Sequence, residues 1–137
     1  MSSDYDILLA RLAHRLHDPD FIAWAMEELQ EALRLALATY NRKTGLDCVL
    51  GGLDGAATSS LPGRDFDLLL IGASGLAAAT LSLERISQFA PDDRISIDLL
   101  RWAKDQLLRF DKGLEDVRRH GFHSSSQSPH MPWYWEE

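Results

Sequence analysis

"DFDLLLIGASGLAAATLSLERI", residues 65–86, is the stretch on which the fold turns. In one reading Phe66 to Ile71 is a buried strand, Gly72-Ala-Ser-Gly75 is a tight phosphate-cradling turn, and a helix follows. In the other the whole stretch is one helix whose small residues let a second backbone come close. A dinucleotide-binding opening needs a strand, a Gly-rich turn, a helix and then further βα units to build a sheet. "GASGLAA" supplies Gly72 and Gly75, with Ala78 in third place. The would-be strand has a single β-branched residue, Ile71, where buried parallel strands favour Val and Ile. After Arg85 the chain offers one helical pattern and no strand to carry a ribose-binding acid. The stretch therefore reads as a packing helix. A glycine in an exposed helix costs about 1 kcal/mol relative to alanine, so Gly72, Gly75 and Ala78 make sense as positions of close helix or subunit contact.

Composition bounds the rest. A chain of 137 residues is one domain with a modest core. Hydrophobic content of 45% and charged content of 26% place it among ordinary globular proteins. A net charge of -7 argues against a nucleic-acid binder, because phosphate contacts want a basic face. The uncharged run from Leu68 to Leu83 falls short of the roughly 20 residues a membrane helix needs. The opening "MSSDYDILLARLAHRL" is acidic and lacks the charged-then-apolar pattern of an export signal. Cys48 is the single cysteine, so no internal disulfide forms; it reads as a small buried hydrophobe in a reducing compartment.

Most of the chain has helical spacing. Ser3 with Asp6 is a capping pattern, and Tyr5, Leu8, Leu9, Leu12 and Leu16 then share a face. "HDPD" at 17–20 ends that helix, because Pro19 disfavours helical geometry in the residue before it. A longer helix carries Leu29, Leu33, Ala36, Leu37 and Tyr40, with Arg42, Lys43 and Gly45 as stop signals. Between Cys48 and Thr58, Asp54-Gly55 is a hairpin-turn pair, which predicts two short strands or an ordered loop. The last helix shows Leu100, Ala103, Leu107, Phe110, Leu114 and Val117 at alternating spacings of three and four, with charges between them on a solvated face. Arg118, Arg119 and His120 suit its C-terminal end, and Gly121 is the expected stop.

These patterns predict a mainly α protein, a bundle of about four helices near 4–16, 20–43, 66–89 and 97–120. Domain boundaries follow as 1–121 for the bundle, with an insert at 44–64 holding a short β-hairpin or loop, and 122–137 for an extended C-terminal tail. Any β-structure should fall between 46 and 60. The expected core comprises Leu12, Leu33, Leu37, Tyr40, Leu69, Leu76, Leu83, Leu107, Phe110 and Leu114.

No reactive constellation stands out. His14 with His17 and His120 with His123 are spaced by three but lack partners in a metal-ligating pattern. "GGLDGAATSSLPG" has no Gly-Lys-Ser/Thr, and neither Ser59-Ser60 nor the serines at 124–126 sit in a nucleophile elbow. The sequence gives no reason to expect an enzyme, a cofactor or a metal.

A resemblance appears once the helices are set side by side. "LARLAHRLHDPDFIAWAMEELQEALRLALATYNRKTG" has a short helix, the Asp18-Pro19 break, Trp24, Glu28-Leu29, and an Ala-Leu-rich helix ending in Tyr40. "LLLIGASGLAAA" from Leu68, then Trp102-Ala103 and Phe110, continue the same order. This series resembles the head–tail connector (adaptor) proteins of tailed phages and prophage elements, over about residues 8–117. Two departures are Ala25, where the family commonly caps its second helix with Ser or Thr, and a shorter insert. The resemblance implies a structural virion protein of the neck, made in the host cytoplasm. It would form a homo-oligomeric ring, commonly of about twelve copies, beneath the portal protein. The ring would join the DNA-filled head to a stopper or tail-completion protein and line the DNA exit channel without sequence-specific contact; an acidic lumen would repel DNA and let it slide. The competing reading is a stand-alone helical interaction module of non-viral role.

The tail "FHSSSQSPHMPWYWEE" is polar and Pro-punctuated before an aromatic cluster. Phe122, Met131, Trp133, Tyr134 and Trp135 are the expected partner-binding residues, being large apolar groups of the kind that anchor interfaces.

Overall fold

The computed structural model describes residues 3–18, 20–88 and 94–126, and of residues 86–88 and 121–126 it describes the backbone alone. Four α-helices carry the fold: α1 Asp4–Arg15, α2 Met26–Thr44, α3 Phe66–Gln88 and α4 Arg94–Ser126. A 3-10 turn, Gly63–Asp65, leads into α3. No strand occurs among the described residues.

Each helix end has a local cause. At the start of α1 the Ser3 hydroxyl accepts the Asp6 N–H, and the Asp6 carboxylate accepts the Ser3 N–H, both at 3.2 Å. Its far end closes when Asp18 N–H reaches back to the Ala13 carbonyl (2.8 Å) and His17 N–H to that of His14 (3.0 Å). That pairing requires a left-handed residue, and His17 supplies it at φ 56°. Gly45 ends α2 in the same left-handed region (φ 74°), with its N–H on the Asn41 carbonyl.

α3 is the central helix and packs on α1, α2 and α4. The apolar stretch Gly63–Arg85 is long enough to cross a bilayer by composition, and 56% of its most apolar window is buried inside the protein. Tyr40 meets Asp65 and Trp24 meets Ala77, so α2 runs antiparallel to α3. α4 is antiparallel too. A Cβ on Gly72 would lie 2.6 Å from the Phe110 ring, one on Gly75 would lie 2.9 Å from Leu107 Cγ, and Gly113 faces Leu68. Leu8, Leu12, Leu29, Leu33 and Leu69 are fully buried in the shared core, each contributing about 1.5–3 kcal/mol of transfer free energy.

Several expectations need correction. α2 begins at Met26, not near residue 20, because residues 20–25 are held in a loop described below. α4 starts at Arg94 and passes through Gly121 to Ser126, so glycine does not stop it and residues 122–126 are helical, not extended. Residues 127–137, with Met131, Trp133, Tyr134 and Trp135, lie outside the described residues. Leu83, expected in the core, is 57% exposed, while Leu76 and Leu107 are only partly buried. On α3 the small residues turn inward instead: Ala73, Ser74, Ala78 and Ser82 are completely buried. Close backbone approach on the glycine side leaves room for small residues, and the Leu83 side of the stripe faces out.

The insert forms an ordered loop. Asp54 (φ 53°) and Gly55 (φ 85°) make the left-handed turn their identities suggest, with Ala56 N–H on the Leu53 carbonyl. The flanks do not extend into a ladder. Ser60 and Leu61 both donate to the Val49 carbonyl, and Ser60 Oγ accepts the Val49 N–H. Side chains satisfy the rest: Ser59 Oγ takes the Gly51 N–H and donates to Asp4 on α1. Cys48, Leu50, Leu53 and Leu61 anchor the loop in the core.

Candidate functional site

The most developed surface feature begins with the loop between α1 and α2. Asp18, only 6% exposed, accepts backbone N–H groups from Ile22 (2.8 Å), Ala23 (2.9 Å) and Trp24 (2.9 Å). Burial works against ionising this carboxyl, but the three N–H donors outweigh it and hold it below the ordinary carboxylate value. The loop so formed aims Trp24 inward. Its indole Nε1–H donates to the Ala77 carbonyl on α3 at 2.9 Å, and the ring is 5% exposed. Ala25 then opens α2 without a side-chain cap, and Glu28 Oε1 accepts the Ala25 N–H at 2.8 Å in its place.

Beside Trp24, residues of α2 and α3 line a groove of about 310 Å³, at the lower end of the range for ligand pockets. Its floor is apolar: Trp24, Ala32, Leu35, Leu76 and Ala77. Its rim is acidic: Glu27, Glu28 and Glu31. Two nearby positions in sequence are exposed apolar residues, Ile22 at 85% and Met26 at 48%. Glu31 is partly neutralised by Arg34 at 2.7 Å, and Arg34 also holds Asp54 of the insert through two nitrogens. Hydrogen bonding to Arg34 keeps the Asp54 carboxyl below its usual value. The pair is solvated, so it orients the insert more than it stabilises the fold.

Three further polar contacts serve the scaffold. Arg15 donates from Nε to Ser74 Oγ (3.1 Å) and from a terminal nitrogen to Gln106 Oε1 (2.6 Å), tying α1 to α3 and α4. Tyr40 donates its hydroxyl to the buried Asp65 at 2.7 Å, and burial, then that hydrogen bond, push its pKa up. Asn41 brackets Cys48 by accepting its N–H and donating to its carbonyl, and burial raises the Cys48 thiol's pKa. The Arg15 bonds join three helices, the Tyr40 and Asn41 bonds fix α2 to the 3-10 turn and the insert, and none of these residues lines the groove.

The residues singled out from the sequence fall into separate places. Gly72, Gly75 and Ala78 are buried on α3, the two glycines against α4 of the same chain. Phe122 lies on the last turns of α4, with its side chain outside the described residues, and the aromatic cluster at 131–135 lies outside them altogether. The groove itself escaped sequence reasoning. Its one legible trace is "WAMEEL", where Trp24 and two glutamates enter an apolar-faced helix together. Compared with known proteins, the chain matches no family model, no curated protein and no solved structure.

Proposed function

We propose that this chain is a ring-forming head–tail adaptor of a tailed phage or phage-derived element, a structural protein that docks beneath a portal. The observation that carries the reading is the helix order. A short α1 ends before Asp18-Pro19, Trp24 and the Glu28-Leu29 pair lead α2 to Tyr40, and a Gly/Ala-rich α3 packs tightly on a long amphipathic α4. These positions carry the resemblance, and most of them are packing positions: Trp24, Leu29, Ala32, Leu33, Ala36, Leu37, Tyr40 and Phe110 are all buried. The end of α4 also suits an assembling subunit. Among the described side chains Val117 is the last of α4 to pack against the core, and Arg118, Arg119 and His120 after it are exposed.

In this reading the bundle supplies a rigid subunit, and its C-terminal residues supply an anchor. Met131, Trp133, Tyr134 and Trp135 bind a neighbouring subunit or the portal. The net charge of -7 suits a channel that passes DNA without holding it. The test is to co-express the chain with the portal protein of the same genome. The full chain should purify attached to the portal, and a chain lacking residues 124–137 should keep its helical spectrum and lose attachment. Attachment that survives the deletion would show that the tail is not the anchor.

A further inference from the structure

The groove beside Trp24 and the far end of α4 are complementary in charge and too far apart within one chain to meet. We infer that they meet between copies: the groove of one subunit receives the α4 end, Arg118 to Phe122, of the next.

The groove has an apolar floor and three rim glutamates. Glu31 is shared with Arg34 and Glu28 with the α2 backbone, while Glu27 has no ion-pair partner among the described residues. Such a rim selects a segment that is cationic at its edges and apolar at its centre. The α4 end has that make-up. Arg118 and Arg119 are exposed; Arg118 has only a loose 4.0 Å approach to Glu115. In helical register Phe122 follows Arg118 by four residues and Arg119 by three, so all three share one face. Two guanidinium groups and an aromatic residue are the chemistry that an acidic rim and an apolar floor would receive.

Reach excludes an intramolecular contact. α4 passes Gly75, next to the groove residue Leu76, with Ala103 and Leu107. Arg118 lies eleven residues beyond Leu107 along one continuous helix, or about 16 Å further at 1.5 Å per residue. It points past the bundle, away from its own groove. A contact joining two different surfaces of identical chains is heterologous, and where its rotation closes it makes a ring. The inference therefore rests on the ring reading above and gives it a specific joint.

The test is charge exchange in the full chain, read by sedimentation or light scattering with circular dichroism as the fold control. Glu27→Lys with Glu31→Lys reverses the groove, and Arg118→Glu with Arg119→Glu reverses the helix end. Each doubly substituted chain should stay helical and lose at least about tenfold in self-association, because like charges meet at the joint. An equimolar mixture of the two should assemble again, since each groove then finds a helix end of opposite sign. Phe122→Ala should weaken wild-type assembly without changing its salt dependence. Reversed chains that assemble like wild type, or a mixture that fails to recover, would overturn this joint while leaving a ring built on other contacts. A wild-type chain that remains monomeric on its own overturns the joint too, and attachment to the portal then judges the adaptor reading separately.

Discussion

Adding one methyl group at Gly72 and at Gly75 should have unequal consequences, and the contrast probes how α3 and α4 meet. In a helix, glycine to alanine gains about 1 kcal/mol from propensity alone. Against that stands the space available. At Gly72 a Cβ would sit 2.6 Å from two Phe110 ring carbons and 2.7 Å from a third. Phe110 is 4% exposed and fixed among core residues, so the ring cannot step aside without moving α4. Overpacking of that severity costs about 3 kcal/mol, leaving Gly72→Ala a net loss of about 2 kcal/mol. At Gly75 the nearest atom is Leu107 Cγ at 2.9 Å, on a partly exposed side chain that can rotate, with the Ala103 carbonyl at 3.2 Å. A cost of about 1 kcal/mol is offset by the propensity gain, so Gly75→Ala should be nearly neutral. Urea unfolding at fixed protein concentration reads the difference. With a slope of about 2 kcal/mol/M, the Gly72→Ala midpoint should fall by about 1 M and the Gly75→Ala midpoint should hardly move. A Gly72→Ala chain more stable than wild type would show that the helices do not approach as described.

Other perturbations follow from the same contacts. Asp18→Ala strands the buried Trp24 N–H and loosens two more, so a loss of about 2–3 kcal/mol is expected. Because the folded Asp18 carboxyl titrates below its unfolded value, its contribution is present above about pH 4 and fades as pH falls through the folded pKa. The stability gap between wild type and Asp18→Asn should therefore narrow in acid; a constant gap would contradict the capping role. Tyr40→Phe removes the donor to buried Asp65 and should cost about 1–3 kcal/mol at neutral pH. The raised Tyr40 pKa means wild type also loses stability as pH climbs past about 10, and the variant should lose less of it there. Leu114→Ala, at a residue 1% exposed, should cost about 2–5 kcal/mol. Leu83→Ala, at an exposed one, should stay within about 0.5 kcal/mol by thermal melting.

The helices were legible because their periodicity is strong: Leu29 to Tyr40 and Ala103 to Leu114 mark two faces that the structure buries. The missed features each have a physical reason. Large side chains dominated the expected core, yet α3 turns Ala73, Ser74, Ala78 and Ser82 inward because glycine lets α4 come close. Helical spacing alone starts α2 too early because a single carboxylate, Asp18, holds residues 22–24 through backbone bonds that no periodicity reveals. Gly121 looked like a stop, but a glycine ends a helix only where the chain turns left-handed, and α4 continues through it. Asp54-Gly55 did fix the turn, although Ser59 and Ser60 hydroxyls take N–H groups that a strand pair would have used. The groove was invisible for a different reason. It is a space lined by residues from two helices far apart in sequence, with Trp24 pinned to Ala77 at its side.

The most direct test of the adaptor reading is the mass of the complex formed when the full 15.4 kDa chain is mixed with the portal of its own genome. Native mass spectrometry should show a closed set of copies, equal in number around the ring, added to one portal assembly. A portal that emerges at its own mass, with this chain beside it as a monomer, would contradict the reading.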